Sequence, residues 1–106
     1  MYTEIKLDKT RNLKFGMRAF YLIEDTLKIK MSQIDYENIG MKELAVIIWA
    51  GLFHEDKELT IDKTIDLIDE HTNLIELMNV MQEAMSKSFN LDNTASKGQG
   101  ESEKNK

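Results

Sequence analysis

The 106-residue sequence has no cysteine, no proline and no cluster of basic residues. Without cysteine there is no disulfide, no thiolate metal site and no cysteine nucleophile, which suits a reducing, intracellular compartment. Histidine is almost as scarce: His54 and His71 each sit beside acids, in His54-Glu55-Asp56 and Asp69-Glu70-His71, with no His-x-x-x-His spacing. Adjacent residues on a helix or turn point apart, so these pairs read as solvated rather than as metal ligands. There is no Walker loop and no Gly-x-Gly-x-x-Gly; the one Gly-x-Gly, Gly98-Gln99-Gly100, follows no strand. Ser32, Ser86, Ser88, Ser96 and Ser102 lie in no nucleophile-elbow context. Neither catalysis nor a metal or cofactor is expected. The longest uncharged run, Leu44 to Phe53, is ten residues, about half of the roughly 20 that a helix needs to span a bilayer. Nothing in Met1 to Asp8 has the pattern of a signal peptide, and the expectation is a soluble cytoplasmic protein of one domain.

What is present is charge, unevenly placed. The net charge is −5, and residues 55–71 alone hold seven acids against two lysines, while residues 1–54 carry eight basic residues and seven acids. This balance argues against nucleic-acid or acidic-membrane partners, whose affinity rests on neutralising phosphates.

Periodicity predicts a mainly α, small α+β fold: a short N-terminal β-hairpin, about four helices over a domain spanning 1–89, and a disordered tail at 90–106. Thr3, Ile5 and Leu7 alternate with Glu4, Lys6 and Asp8, and Leu13 and Phe15 repeat the alternation after a connection at 9–12. Met17 to about Lys28 is an amphipathic helix with Phe20, Ile23 and Leu27 on its apolar side. Residues 29–38 read as a loop with one possible turn, Ser32 and Asp35 having capping spacing. Gly40 precedes a helix that is apolar nearly all round, with Met41, Leu44, Ala45, Ile48 and Leu52 on one face and Val46, Ile47, Trp49 and Phe53 over the rest. Gly51 lies within it, either for close packing or as the start of its end. Thr60 is an N-cap with Asp62 in the first turn, and Ile61, Ile65 and Ile68 form the expected buried stripe. Asn73 and Glu76 have capping-box spacing for a last helix, about 74–89, with Leu74, Leu77, Met78, Met81, Ala84 and Met85 on one side. The tail is too polar to offset its ordering entropy.

Two groups of residues are candidates for contact with a partner. Met78, Met81 and Met85 lie three and four apart, which suits either adaptable core filling or a binding surface. Trp49 and Phe53 are either core or anchors for a partner or an oligomer seam. Asp62, Asp66, Asp69 and Glu70 follow helical spacing and are either an acidic cluster for acid/base work or a plain solvated helix face.

Two stretches, Leu13-Lys14-Phe15-Gly16-Met17-Arg18-Ala19-Phe20 and Trp49-Ala50-Gly51-Leu52-Phe53-His54-Glu55-Asp56 with the following Leu59-Thr60, resemble the tail assembly chaperones of long-tailed, non-contractile bacteriophages and related prophages. The likeness covers roughly residues 3–75 and consists of packing motifs; Trp49 and the absence of proline near residue 57 depart from the pattern. It implies a non-enzymatic protein of the infected or lysogenic host's cytoplasm that coats the tape measure protein and keeps it soluble during tail tube assembly. It also implies contact with the tail tube protein and self-association into a homo-oligomer. The competing reading is a small acidic helical regulatory adaptor, such as a nucleic-acid-mimicking antagonist acting through residues 55–71. An enzyme ranks last.

Overall fold

In the computed structural model, which describes residues 2–89, an antiparallel hairpin is followed by four helices: β1 Thr3–Lys6, β2 Thr10–Leu13, α1 Met17–Leu27, α2 Met41–Leu52, α3 Ile61–His71 and α4 Leu74–Phe89. The fold is mainly α, with a small β component. The expected tail at 90–106 lies outside the described residues.

The hairpin follows from the alternation. Thr3, Ile5 and Leu7 are buried while Glu4 and Lys6 are exposed, and Thr3 pairs with Leu13, Ile5 with Arg11 and Lys6 with Thr10. The second strand begins earlier than the sequence suggests. Thr10 to Leu13, read as connection up to residue 12, is strand, and the turn is Leu7 to Lys9. The missing cue is that Arg11, a charged residue, occupies an inward position and is only 6% exposed. Phe15, just past the strand, is buried as expected.

Each helix has a local reason to start or stop. Lys28 ends α1 in the left-handed conformation (φ 61°), its N–H donating to Glu24 O at 2.8 Å. The single turn in the following loop is a 3-10 turn at Met31–Gln33. It is closed by Lys30 N–H donating to Gln33 Oε1 at 3.3 Å, rather than by Ser32 and Asp35. Glu43 accepts the Gly40 N–H (2.7 Å) at the start of α2, Thr60 Oγ1 accepts the Lys63 N–H (3.1 Å) at α3, and Asn73 Oδ1 accepts the Glu76 N–H (2.9 Å) at α4.

α2 is the centre of the core. Leu44 to Ile48 and Ala50 to Leu52 are all buried, against the hairpin, α1, α3 and α4. Gly51 decides how closely the hairpin approaches: a Cβ there would stand 2.7 Å from Phe15 Cζ and 2.9 Å from Leu13 Cδ2. The bare backbone also lets Lys14 N–H donate to Gly51 O at 2.9 Å. Of the two roles open to this glycine, close packing is the one it fills.

Three apolar assignments differ from expectation. In α3 the fully buried residue is Thr64, whose hydroxyl donates to Thr60 O at 2.9 Å; Ile61 and Ile68 are only partly buried and Ile65 is 39% exposed. The helix leans on α2 through the neighbouring side of its surface, so the isoleucine stripe is rotated toward solvent. Met41 (58%) and Leu74 (44%), which open α2 and α4, are exposed for the related reason that no described element covers them, although Leu44 and Leu77 three residues on are buried.

Gly51→Ala gains about 1 kcal/mol of helix propensity but forces a methyl into Phe15 and Leu13, and overpacking a filled core costs about 1–3 kcal/mol. The expected result is a net loss of stability by thermal melting, partly restored by Phe15→Leu in the same chain. A higher melting temperature for the single variant would show that the approach is not close.

Candidate functional site

Of the large apolar residues that the fold leaves exposed, Met41, Ile65 and Leu74 line one groove, while Tyr2 precedes β1 and Met17 and Tyr21 lie on α1. The first turns of α2 and α4 flank α3, and between them lies a groove of about 450 Å³. Met41, Leu44 and Ala45 line it from α2, Ile61, Ile65 and Ile68 from α3, and Leu74 and Leu77 from α4. Its polar rim is Lys42, Asp69, Thr72 and Asn73. Ile75, 75% exposed, stands beside Leu74 at the start of α4. Isolated apolar residues on a surface are ordinary, but a contiguous apolar concavity with polar edges is the form of a docking site.

A second cleft, about 680 Å³, lies between the 3-10 segment and α4 and is lined by Met31, Ile34, Tyr36, Met81 and Met85 with polar Ser32, Glu37, Gln82 and Ser86. It adjoins the end of α4, where the described residues stop, whereas the first groove is bounded by described residues throughout. Burial holds the Tyr36 phenol above its ordinary pKa.

The candidates named from sequence are dispersed. Met81 is fully buried and Met85 nearly so, within the core beneath α4; Met78 is partly buried against the same core. Trp49 and Phe53 are both partly buried and pack edge to face, ring centroids 5.7 Å apart. The Trp49 indole N–H donates to Leu59 O at 2.8 Å, pinning the connection that leads into α3. Both lie toward the C-terminal end of α2, away from the turn that lines the groove. Asp62, Asp66, Asp69 and Glu70 are exposed along α3, and Asp69 alone of these reaches the groove. Among the described residues no group of three or more His, Cys, Asp or Glu is placed to hold a metal ion, and no helix is long and apolar enough to cross a membrane.

None of the apolar residues that line the groove is singled out as a site by the sequence. A signal existed in α3: besides the isoleucine stripe it carries Leu67 and Thr64 on an adjoining side, more apolar surface than a short, acidic helix buries against one neighbour.

At the other end of α2 a polar cluster ties the chain to the outer edge of β2. Glu55 accepts from the Asn12 backbone N–H (3.0 Å) and its side-chain amide (2.9 Å), and His54 Nε2 lies 2.7 Å from Asn12 O. Tyr2 stacks on the His54 ring at 5.5 Å. The buried Arg11 guanidinium takes Asp8 through two hydrogen bonds (2.8 and 3.0 Å), with Asp56 at 3.7 Å. The hydrogen bond from Arg11, helped by its charge, holds Asp8 below the usual carboxylate range against the opposing effect of burial, and Asp8 in turn raises Arg11. For Glu55, burial pushes the pKa up most strongly. The two Asn12 hydrogen bonds and the positive charges of His54 and Arg11 together outweigh it, and the net direction is down.

Because Asp8 and Glu55 titrate lower in the fold than in the unfolded chain, their contribution to stability is complete above the unfolded carboxylate values near pH 4. It is lost as pH falls through their lowered folded values. Denaturant unfolding should therefore weaken below about pH 5, and the Asp8→Asn/Glu55→Gln variant should be less stable at neutral pH with a flatter acid limb. An acid limb as steep as that of the parent chain would remove this cluster as the cause.

No protein-family model, no curated protein and no solved structure matches this chain.

Proposed function

We propose that the protein is a non-enzymatic assembly chaperone that shields apolar helical segments of a long partner, and, from the likeness of residues 13–20 and 49–60 to tail assembly chaperones, that the partner is a phage tape measure protein held soluble before the tail tube forms around it. The observation that supports this reading is the open apolar groove between α2, α3 and α4. Leaving residues such as Met41, Ile65 and Leu74 in contact with water costs the free protein roughly 1–2 kcal/mol each relative to full burial, and a partner that covers them recovers it. Helix-in-groove docking is the form such recognition takes when the wall of the groove is itself helical. Contact with the tail tube protein and self-association belong to the same reading.

Co-expression tests it. A tape measure protein that is insoluble alone should become soluble with the intact chain and remain insoluble with Ile65→Asn. Ile65 is partly exposed and off the core, so this variant should melt within a degree or two of the parent, its stability changing by about 0.5 kcal/mol or less. A tape measure protein that stays insoluble with the intact chain would leave the acidic adaptor as the better reading.

A further inference from the structure

We propose that the groove takes an amphipathic helix of about three turns whose apolar stripe is bordered, on the side facing α3, by lysine or arginine. This rests on the helix-binding reading above and adds to it the charge pattern of the occupant.

Length and spacing come from α3. The wall from Ile61 to Thr72 runs roughly 16 Å at helical rise, and Ile61, Ile65 and Ile68 repeat at the interval that receives the side chains of a facing helix. Charge comes from the neighbouring row. Asp62, Asp66 and Asp69 have the same spacing displaced by one residue, so an acidic row runs alongside the isoleucine row, and Asp69 is part of the groove rim. None of the three carboxylates is in a hydrogen bond or ion pair with a described residue.

That sets them apart from the acids just upstream. Glu55 and Asp56 are engaged with β2 in the fold. Like charges three and four apart on one helix repel and weaken it. A row left unmet beside an uncovered apolar groove is therefore complemented by cations that a partner brings. The opposite rim carries Lys42, so the pattern is one-sided: basic toward α3, neutral or acidic toward α2. The same charges turn away polyanions, whose phosphates would face the aspartates.

The test uses the full chain and fluorescently labelled, capped helical peptides of about 14 residues. They share one leucine stripe and differ in the flank: lysine, glutamate, or the lysine composition scrambled so that no stripe forms. Anisotropy titrations should show the lysine peptide binding about tenfold or more tighter than the other two, its advantage shrinking as salt is raised. Ile65→Asn should abolish binding, and the triple variant Asp62→Lys, Asp66→Lys, Asp69→Lys should reverse the preference toward the glutamate peptide.

Equal affinity for the lysine and glutamate peptides overturns the charge assignment. Equal affinity for the scrambled peptide overturns the helix. If light scattering shows self-association that Ile65→Asn abolishes and the lysine peptide does not compete with it, the occupant is a second copy and the proposal fails. Loss of tape measure rescue by Ile65→Asn, together with charge-blind peptide binding, would leave the chaperone reading standing and remove only this inference.

Discussion

The approach of β2 to α2 at Gly51 is the contact on which the rest of the structure depends. A two-stranded hairpin is marginal by itself in water; here β1 packs against α4, and β2 lies on α2, which offers no side chain at the point of nearest approach. Once Leu13 and Phe15 are seated there, the exit of α2 falls alongside β2. The Lys14 and Asn12 N–H groups and the Asn12 carbonyl are then taken up by Gly51, Glu55 and His54. An edge that would otherwise invite another strand is thereby closed with polar groups. The same exit swings the chain through Leu59, held by the Trp49 indole, into α3.

With the C-terminal half of α2 committed to the hairpin and α1, its N-terminal turn is left to α3 and α4. α3 turns Thr64 inward, and Met41 and Ile65 stay exposed beside the groove that α2, α3 and α4 line. The groove is thus a consequence of how many elements α2 must satisfy at once. Its size is that of a helical segment's contact surface, and its apolar lining is continuous across three elements.

The acids of residues 55–71 divide by the same geometry. Those at the exit of α2, Glu55 and Asp56, reach Asn12 and Arg11 and work within the fold; on α3, Glu70 lies 3.8 Å from His71, and the carboxylates of Asp62, Asp66 and Asp69 meet no hydrogen-bond or ion-pair partner among the described residues. A single run of like charge in the sequence therefore serves two physical purposes. One part holds the hairpin to the exit of α2 through the hydrogen bonds to Asn12 and the Arg11 ion pair. The other part lies in solvent beside the apolar groove, where water and salt screen it.

Sequence alone determined the local features: the alternation of Thr3, Ile5 and Leu7, the caps at Thr60 and Asn73, and the apolar run of α2, because strand and helix periods and cap chemistry act over a few residues. It also determined that Met78, Met81 and Met85 share a side of α4, but not that Met81 and Met85 are enclosed. Only the tertiary structure decided that Arg11 points inward, because one of the aspartates that face it, Asp8, is in the hairpin turn and the other, Asp56, comes from the connection after α2. Likewise only the tertiary structure decided that Gly51 faces Phe15 and that Ile65 is uncovered. An apolar stripe shows which side of a helix avoids water; whether anything covers it depends on where distant elements are placed, and that is settled by the packing of the whole chain around α2.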